Sequence, residues 1–511
     1  MRGETAALRR LASASLPLAL GCGDATTIAE NDLERIAQEP AIERALRGFR
    51  HDEEGSTCSK LRFVYDPAPR WRGRRPDDYV LERRRAPDGE WRVVASQDGS
   101  AAEVLYDATF LPIRGERYEY RARARYLDDG RHVVSSPSEI VREAPRGCVV
   151  PRDLELSVYL FSPRDATLPY GREFVEALLF GEGGTGASLS DYYVEVSAGL
   201  FAPADARQTQ AVRLSGTVHG WYALPGTRND YCNGEESCSG ILARASAEIV
   251  YWDVFRELRE QNPADYHLVI VNDDAIAHGG GLERGQGLVF VGSGALADAS
   301  FRVVAHELGH AMGLGERPAL SCPERPFPSE LLDGASSACR IAAYADQTDP
   351  MSGAALVHFN AFSKWVLGFL PGRVLEAALQ PGESLEVDLH DATTWAPPEA
   401  TQLVLLQVDP YGSHFAIEYR TGGGFNAFAR TDPFGPFHAL PDGVYVGLRP
   451  GTAHPGNLGT GNGPYTAYAD AAFREPIVAD PLRPFVDPDR GIRVEVLHAA
   501  DGVSRVRVAR E

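Results

Sequence analysis

The sequence contains no apolar run long enough to cross a membrane, which takes roughly twenty residues in a helix. Its N-terminal apolar run, residues 11–21, is far shorter, so no transmembrane segment is predicted. Positive charge is also in deficit, because 51 Lys and Arg residues face 71 Asp and Glu residues and give a formal net charge of −20. Without a basic patch to neutralise phosphates, the chain is not expected to bind nucleic acid.

Cysteine is sparse, with seven in 511 residues, and the first of them closes an export signal. Arg9 and Arg10 precede the apolar run, which is typical of a secretory signal peptide over residues 1–22. The run ends in Ala19-Leu20-Gly21-Cys22, which resembles a bacterial lipobox and predicts a lipid anchor on Cys22. Cleavage near Cys22 without a lipid is the alternative, so we expect a secreted protein or an outer-surface bacterial lipoprotein.

The six remaining cysteines are an even number, which suits three disulfides formed in an oxidising compartment. Closeness in sequence favours one set of pairs, and other pairings stay open. The favoured pairs are Cys58 with Cys148, Cys232 with Cys238, and Cys322 with Cys339.

Strand-like segments lie on both sides of the chain's centre. Residues 58–150 alternate in polarity between turn signals such as Asp128-Asp129-Gly130, which predicts a β-sandwich, and the pattern resembles a fibronectin type III domain. Residues 373–511 also alternate and predict a second β-sandwich. Residues 23–57 are polar and are interpreted as a tether. Residues 151–372 alternate predicted strands and helices, which is typical of an α/β domain.

The motif that carries chemistry is His306-Glu307-Leu308-Gly309-His310, an HExxH pattern. Residues four apart share one face of a helix, so the two imidazoles can bind one metal ion with Glu307 close by. Zinc is favoured, because it accepts imidazole nitrogen and carboxylate oxygen and leaves a fourth position for water. Asp298 is the predicted N-cap of this helix. The helix is expected to bury one face, formed by four apolar residues at helical spacing, namely Phe301, Val304, Leu308 and Met312.

The residues after the motif supply a third candidate ligand. Glu316 follows His310 by six residues, and Gly313 between them favours a left-handed turn that ends the helix. Further along, Asp349-Pro350-Met351-Ser352-Gly353 resembles the Met-turn that lies beneath zinc in HExxHxxGxxH enzymes. A second candidate for the third ligand is Glu330, although Pro326 and Pro328 argue against the second helix that it would need.

Together these segments resemble the metzincin metallopeptidases, and more narrowly their gametolysin-like and immune-inhibitor-A-like branches. Most metzincins have His where this chain has Glu316, and a His₂Glu ligand set is also used for catalytic zinc. The other segments that carry the resemblance are residues 188–199 (SLSDYYVEVSAG), 216–225 (GTVHGWYALP), 344–353 (YADQTDPMSG) and 359–370 (FNAFSKWVLGFL).

The resemblance implies that residues 151–372 form a zinc metalloendopeptidase domain that hydrolyses peptide bonds of extracellular proteins. Glu307 would be the general base, and His306, His310 and Glu316 would bind one zinc ion. Met351 would form the apolar floor of the site, and Tyr344 is a candidate for assisting the oxyanion. The strand within residues 285–293 is expected to present a free edge that pairs with an extended peptide substrate.

Three alternatives accompany this hypothesis. Residues 145–153 (PRGCVVPRD) loosely resemble the cysteine switch of matrixins, in which a propeptide thiolate occupies the zinc, so Cys148 is either a disulfide partner or a latency switch. The acidic segment 344–349 is a candidate calcium site, although its spacing matches no established calcium loop. The competing function class is a lipid-anchored adhesin that carries a lapsed peptidase domain with a structural zinc.

Overall fold

The computed structural model describes residues 41–511 apart from a set of internal segments. The segments outside the description are 43–45, 58–59, 69, 87–90, 99–103, 108–117, 129–130, 144–149, 151, 182–187, 233–240, 274–278, 281–286, 300, 313, 323–325, 329–338, 343–345, 347, 353–356, 409–412, 422–441, 450–464 and 469–476. Several predicted site residues therefore lie outside the described residues, namely Cys22, Cys58, Cys148, Cys238, Gly313, Glu330 and Tyr344.

The N-terminal unit is a β-sandwich. A six-stranded sheet in the order β1-β8-β7-β4-β5, with β9 paired to β7, faces a three-stranded sheet in the order β2-β3-β6. Phe63, Leu81 and Tyr120 are fully buried in the core between the two sheets. The strands are β1 (Ala41–Ile42), β2 (Arg50–Thr57), β3 (Lys60–Val64), β4 (Asp78–Arg85), β5 (Arg92–Asp98), β6 (Val104–Asp107), β7 (Tyr118–Asp128), β8 (Arg131–Ser135) and β9 (Val141–Glu143).

The interpretation of residues 23–57 as a tether is partly wrong. Ala41–Ile42 form β1 and Arg50–Thr57 form β2, and both strands belong to this sandwich. The physical reason is apolar burial: Leu46 and Phe49, which lie between those strands, are 2% and 7% exposed and pack into the core. A few large apolar side chains in a polar segment are enough to dock it against a sheet.

The central unit is a five-stranded sheet in the order β11-β10-β12-β14-β13, with helices packed against both faces. The first four strands are parallel, and alternate residues of β10 face opposite helix layers, Leu160 on one side and Phe161 on the other. The strands are β10 (Asp153–Ser162), β11 (Arg213–Ala223), β12 (Tyr266–Val271), β13 (Gly279–Gly280) and β14 (Leu288–Gly292). The helices are α1 (Arg172–Phe180), α2 (Leu189–Ala198), α3 (Ala204–Gln210), α4 (Arg228–Cys232), α5 (Ile241–Tyr251), α6 (Asp253–Gln261), α7 (Arg302–Ala311) and α8 (Ala361–Val366).

The expectation of a free edge on the strand within residues 285–293 is wrong. Strand β14 pairs with β12 on one side and with β13 on the other, where Gly280 lies opposite Phe290 in antiparallel register. Gly279 and Gly280 have no side chains to hinder this close return of the backbone. Among the described residues, β13 rather than β14 lies at this edge of the sheet.

The C-terminal unit is a second β-sandwich. An eight-stranded sheet in the order β16-β15-β22-β21-β20-β19-β17, with β23 paired to β21, packs against a four-stranded sheet in the order β18-β26-β25-β24. The strands are β15 (Ala319–Ser321), β16 (Arg340–Ala342), β17 (Val374–Ala378), β18 (Ser384–His390), β19 (Leu403–Gln407), β20 (His414–Arg420), β21 (Gly443–Arg449), β22 (Tyr465–Tyr468), β23 (Val478–Ala479), β24 (Phe485–Asp487), β25 (Ile492–Ala500) and β26 (Val503–Arg510).

Two of these strands come from the segment between the HExxH helix and the Met-turn. Strand β15 pairs in parallel with β22, where Leu320 lies opposite Ala467, and in antiparallel fashion with β16. The predicted disulfide between Cys322 and Cys339 is confirmed, and it joins the residue after β15 to the residue before β16. The prediction of a sheet-rich, multidomain chain is confirmed as well, and no helix of the described residues is long and apolar enough to cross a membrane.

Candidate metal centre

The HExxH motif lies on α7, which packs its apolar stripe into the core beneath the central sheet. Val304 and Leu308 are buried there together with Phe301. The prediction that Asp298 caps the helix is wrong, because Asp298 lies inside a 3₁₀ helix, Ser293–Ala299, that runs up to the start of α7. The capping position falls on Phe301, which makes no side-chain cap.

The structure brings the three predicted ligands together. The rings of His306 and His310 are 4.6 Å apart and nearly perpendicular, and their Nε2 atoms are 3.0 Å apart. Glu316 places Oε1 3.0 Å from Nε2 of His310 and Oε2 3.7 Å from Nε2 of His306. One ligand atom from each of the three side chains lies within 4.8 Å of the other two.

Backbone carbonyls orient both imidazoles. Nδ1 of His306 donates to the carbonyl of Pro350 at 2.8 Å, and Nδ1 of His310 donates to the carbonyl of Leu314 at 2.9 Å. In a neutral imidazole the other ring nitrogen is then an acceptor, so both Nε2 lone pairs point towards the same place. This is the arrangement by which an outer hydrogen bond orients a metal-binding histidine.

The electrostatics of the cluster favour positive charge at the point where the side chains meet. Burial lowers the pKa of His306, and the neighbouring His310 adds to this effect. Burial also acts to lower the pKa of His310, but the hydrogen bond and charge of Glu316 outweigh it and raise that pKa. A carboxylate beside two converging imidazoles therefore attracts a proton or a metal cation.

The donor set fits a zinc ion. Ligand atoms about 2.0–2.2 Å from a tetrahedral zinc lie roughly 3.3–3.6 Å from one another. Nε2 of His310 lies 3.0 Å from Nε2 of His306 and 3.0 Å from Oε1 of Glu316, while the 3.7 Å approach to His306 is made by the other carboxylate oxygen, Oε2. Oε2 of Glu316 is buried and has no hydrogen-bond partner among the described residues. A buried carboxylate oxygen in that state is costly unless a cation satisfies it.

Glu307 lies beside this cluster rather than in it. It is 6% exposed, and it lies three residues before His310, a spacing that makes the two side chains neighbours on the helix surface. Its negative charge contributes to the raised pKa of His310. Glu307 is therefore a buried carboxylate whose charge acts on one of the three candidate ligands.

Met351 packs directly against the helix that carries the histidines. A Cβ built on Gly309 would collide with Sδ of Met351, so the methionine occupies the space that a side chain at residue 309 would fill. The carbonyl of Met351 accepts the backbone N–H of Arg317, the residue after Glu316, at 3.1 Å. Met351 thus contacts the segments that bear all three candidate ligands.

The side chain of Asp349 organises the loop that carries Met351, and sequence reasoning missed it. Oδ1 accepts the backbone N–H of Met351 at 2.8 Å, and Oδ2 accepts the hydroxyl of Ser363 at 2.6 Å and the N–H of Asn360 at 2.8 Å. The signal was the Asp349-Pro350 pair, because Asp before Pro favours a turn built on the Asp side chain.

Solved structures that match the chain include fibronectin type III-like domains, each of which covers about a fifth of it. No family model and no curated protein matches the chain. Titin module A71 from human cardiac muscle is 16% identical over 20% of this chain and 88% of the module, with a TM-score of 0.16. An Fn3-like protein from Clostridium thermocellum is 18% identical over 21% of this chain and 92% of its own, with a TM-score of 0.14. A human fourth FNIII domain is 18% identical over 22% and 86%, with a TM-score of 0.16.

Proposed function

We propose that this protein is a zinc-dependent metalloendopeptidase, exported from the cell and either secreted or held at the surface by a lipid on Cys22. The observation that carries the proposal is the convergence of His306, His310 and Glu316, whose ligand atoms lie within 4.8 Å of one another. The resemblance of residues 306–316 and 349–353 to metzincin peptidases supports the same chemistry. The resemblance of residues 58–150 to fibronectin type III domains supports a spacer or binding module ahead of it.

The proposal assigns each of these residues a role. Zinc held by His306, His310 and Glu316 would supply Lewis-acid chemistry, lowering the pKa of a water molecule and polarising a peptide carbonyl. Glu307 takes the proton from the attacking water on its carboxylate and delivers it to the amide nitrogen of the leaving group. Met351 supports the helix and takes no part in the chemistry. Tyr344, outside the described residues, stays a candidate for stabilising the oxyanion.

The competing proposal is an adhesin with a structural zinc. Structural zinc is usually held by four protein ligands, whereas catalytic zinc has three and keeps one position open. Among the described residues the cluster contains three such side chains, which favours the catalytic role. Zinc binding without any peptide cleavage would instead support the adhesin.

The test is Glu307→Gln, which keeps the size of the side chain and removes its capacity to accept a proton. We expect cleavage of casein to fall by roughly 100-fold or more, while metal analysis still finds one zinc per chain. His310→Ala should lose both the zinc and the activity. Glu257→Gln on the exposed surface of α6 is the matched control and should keep both. Normal turnover by Glu307→Gln would contradict the proposal.

A further inference from the structure

The loop beneath the metal centre is held from its far side by the C-terminal β-sandwich. Nη1 of Arg420, at the end of β20, donates to the carbonyl of Thr348 at 2.6 Å. The hydroxyl of Thr466, on β22, donates to Oδ2 of Asp346 at 2.8 Å. Both contacts join residues that are far apart in the sequence, and both end on the segment that leads into the Met-turn.

Arg420 is itself fixed in place. Its side chain is completely buried, and Nη2 donates to Oε1 of Glu418 at 2.9 Å. The other oxygen of Glu418 accepts the backbone N–H of Ala361 at 2.7 Å. The buried pair therefore holds the chain on both sides of the Met-turn, at Thr348 before it and at Ala361 after it.

The connection from this pair to the candidate metal site is short. Pro350, two residues after Thr348, provides the carbonyl that accepts Nδ1 of His306. That hydrogen bond sets the orientation of the ring and directs Nε2 towards Glu316. If the backbone at Thr348 shifts, the carbonyl of Pro350 shifts with it and the ring of His306 loses its fixed direction.

We propose that the C-terminal β-sandwich is a structural part of the metal centre, and that Arg420 is a positioning residue for His306. The inference rests on the proposed function, because it takes His306 as a zinc ligand. The side-chain hydrogen bonds of Arg420 described above are with Thr348 and Glu418, not with the candidate ligands. Arg420 acts through the backbone of residues 348–350, so its loss weakens zinc binding even where the chain still folds.

The test uses the full chain and compares zinc affinity with stability. Arg420→Met/Glu418→Gln removes both charges together, so that no buried charge is left unpaired. We expect its zinc dissociation constant to rise about tenfold, the usual size of an effect from outside the ligand shell. In the zinc-free protein, hydrogen exchange of residues 348–352 should become faster. Thr466→Val, which removes a single hydroxyl, should show a smaller change in the same direction and serves if the double variant fails to fold.

Val506→Ala is the matched control. Val506 is fully buried in the same sandwich, on the four-stranded sheet. Its truncation leaves a cavity and is expected to lower the melting temperature, and it removes none of the hydrogen bonds to the loop. The inference is supported if the Arg420→Met/Glu418→Gln variant loses zinc affinity and Val506→Ala, with a similar loss of melting temperature, does not. Unchanged affinity in the Arg420 and Thr466 variants, or an equal loss with Val506→Ala, overturns it alone. A wild-type chain that binds no zinc overturns both this inference and the proposed function.

Discussion

The absence of a side chain at residue 309 is what lets Met351 lie against the HExxH helix. Glycine in a helix interior costs about 1 kcal/mol relative to alanine, so helix propensity alone favours Gly309→Ala. The added methyl group would collide with Sδ of Met351, however, and forced overpacking costs about 1–3 kcal/mol. We expect Gly309→Ala to lower the free energy of unfolding and to weaken zinc binding.

Denaturant unfolding and a zinc competition assay check this prediction. Gly220→Ala is the control, because a Cβ built at Gly220 meets no atom within 4 Å. If Gly309→Ala were as stable as the wild type, Met351 would have to be mobile enough to move aside.

At the same scale, the grouping of the three candidate ligands could be predicted from the sequence, but the residues that orient them could not. The spacing of His306 and His310 is a property of one helix, so it can be read from the chain alone. The contact of Pro350 with His306 and of Arg420 with Thr348 depends on how separate segments pack, and no local pattern encodes that. Asp298 is an example. Its side chain suits the N-cap of a helix, but the residue lies within the 3₁₀ helix Ser293–Ala299 and not at the start of α7.

At the scale of elements, helix α8 carries a buried lysine that joins three parts of the molecule. Nζ of Lys364 donates to the carbonyl of Ala392 at 2.6 Å and to Nδ1 of His358 at 3.1 Å. Nε2 of His358 donates in turn to Glu195 on α2 at 2.8 Å. Burial lowers the pKa of Lys364 to about 7, and burial lowers the pKa of His358 to about 4. The imidazole is therefore neutral at pH 7 and accepts from the lysine.

The lowered pKa of Lys364 predicts how stability depends on pH. Between pH 7 and about 10.5 the unfolded chain binds a proton at this lysine that the folded chain does not, so stability rises with pH in that range. Below pH 7 both states are protonated, and the cost of the buried charge is fully present. Lys364→Met should remove a rise on the order of 2 kcal/mol between pH 7 and pH 9. Urea unfolding at pH 7 and pH 9 measures this rise in the free energy of unfolding. If the rise were unchanged in the variant, groups other than Lys364 would be its cause.

Two of the strands that sequence reasoning missed, β15 and β16, are short and form only by pairing with other strands. Ala319–Ser321 and Arg340–Ala342 are only three residues each, too short for polarity alternation to reveal them. Strand β15 pairs with β22, which lies more than a hundred residues further along the chain, and β16 pairs with β15. Alternation over five or more residues is a local signal and predicted the sheet-rich character of residues 58–150 and 373–511. Length alone was not sufficient, because β2, with eight residues, was interpreted as part of a tether.

At the scale of the whole molecule, the segment between the HExxH helix and the Met-turn contributes two strands, β15 and β16, to the C-terminal sheet. A chain that ends at residue 372 would keep His306, His310, Glu316 and Met351 but would lose β22 and Arg420. Strand β15 would then have no partner on that side, and the backbone groups of its exposed edge would be unpaired. We expect such a chain to bind zinc at least tenfold more weakly than the full chain, or to fail to fold.

The opposite truncation provides the control. The hydrogen bonds that orient His306, His310 and the Met-turn are all made by residues after Arg152, so a chain that begins at Val150 should keep the zinc affinity of the full chain. Isothermal titration with zinc on the three chains measures the difference. If residues 1–372 alone bound zinc as tightly as the full chain, the central unit would be self-sufficient. The C-terminal sandwich would then make no contribution to the zinc affinity of the central unit.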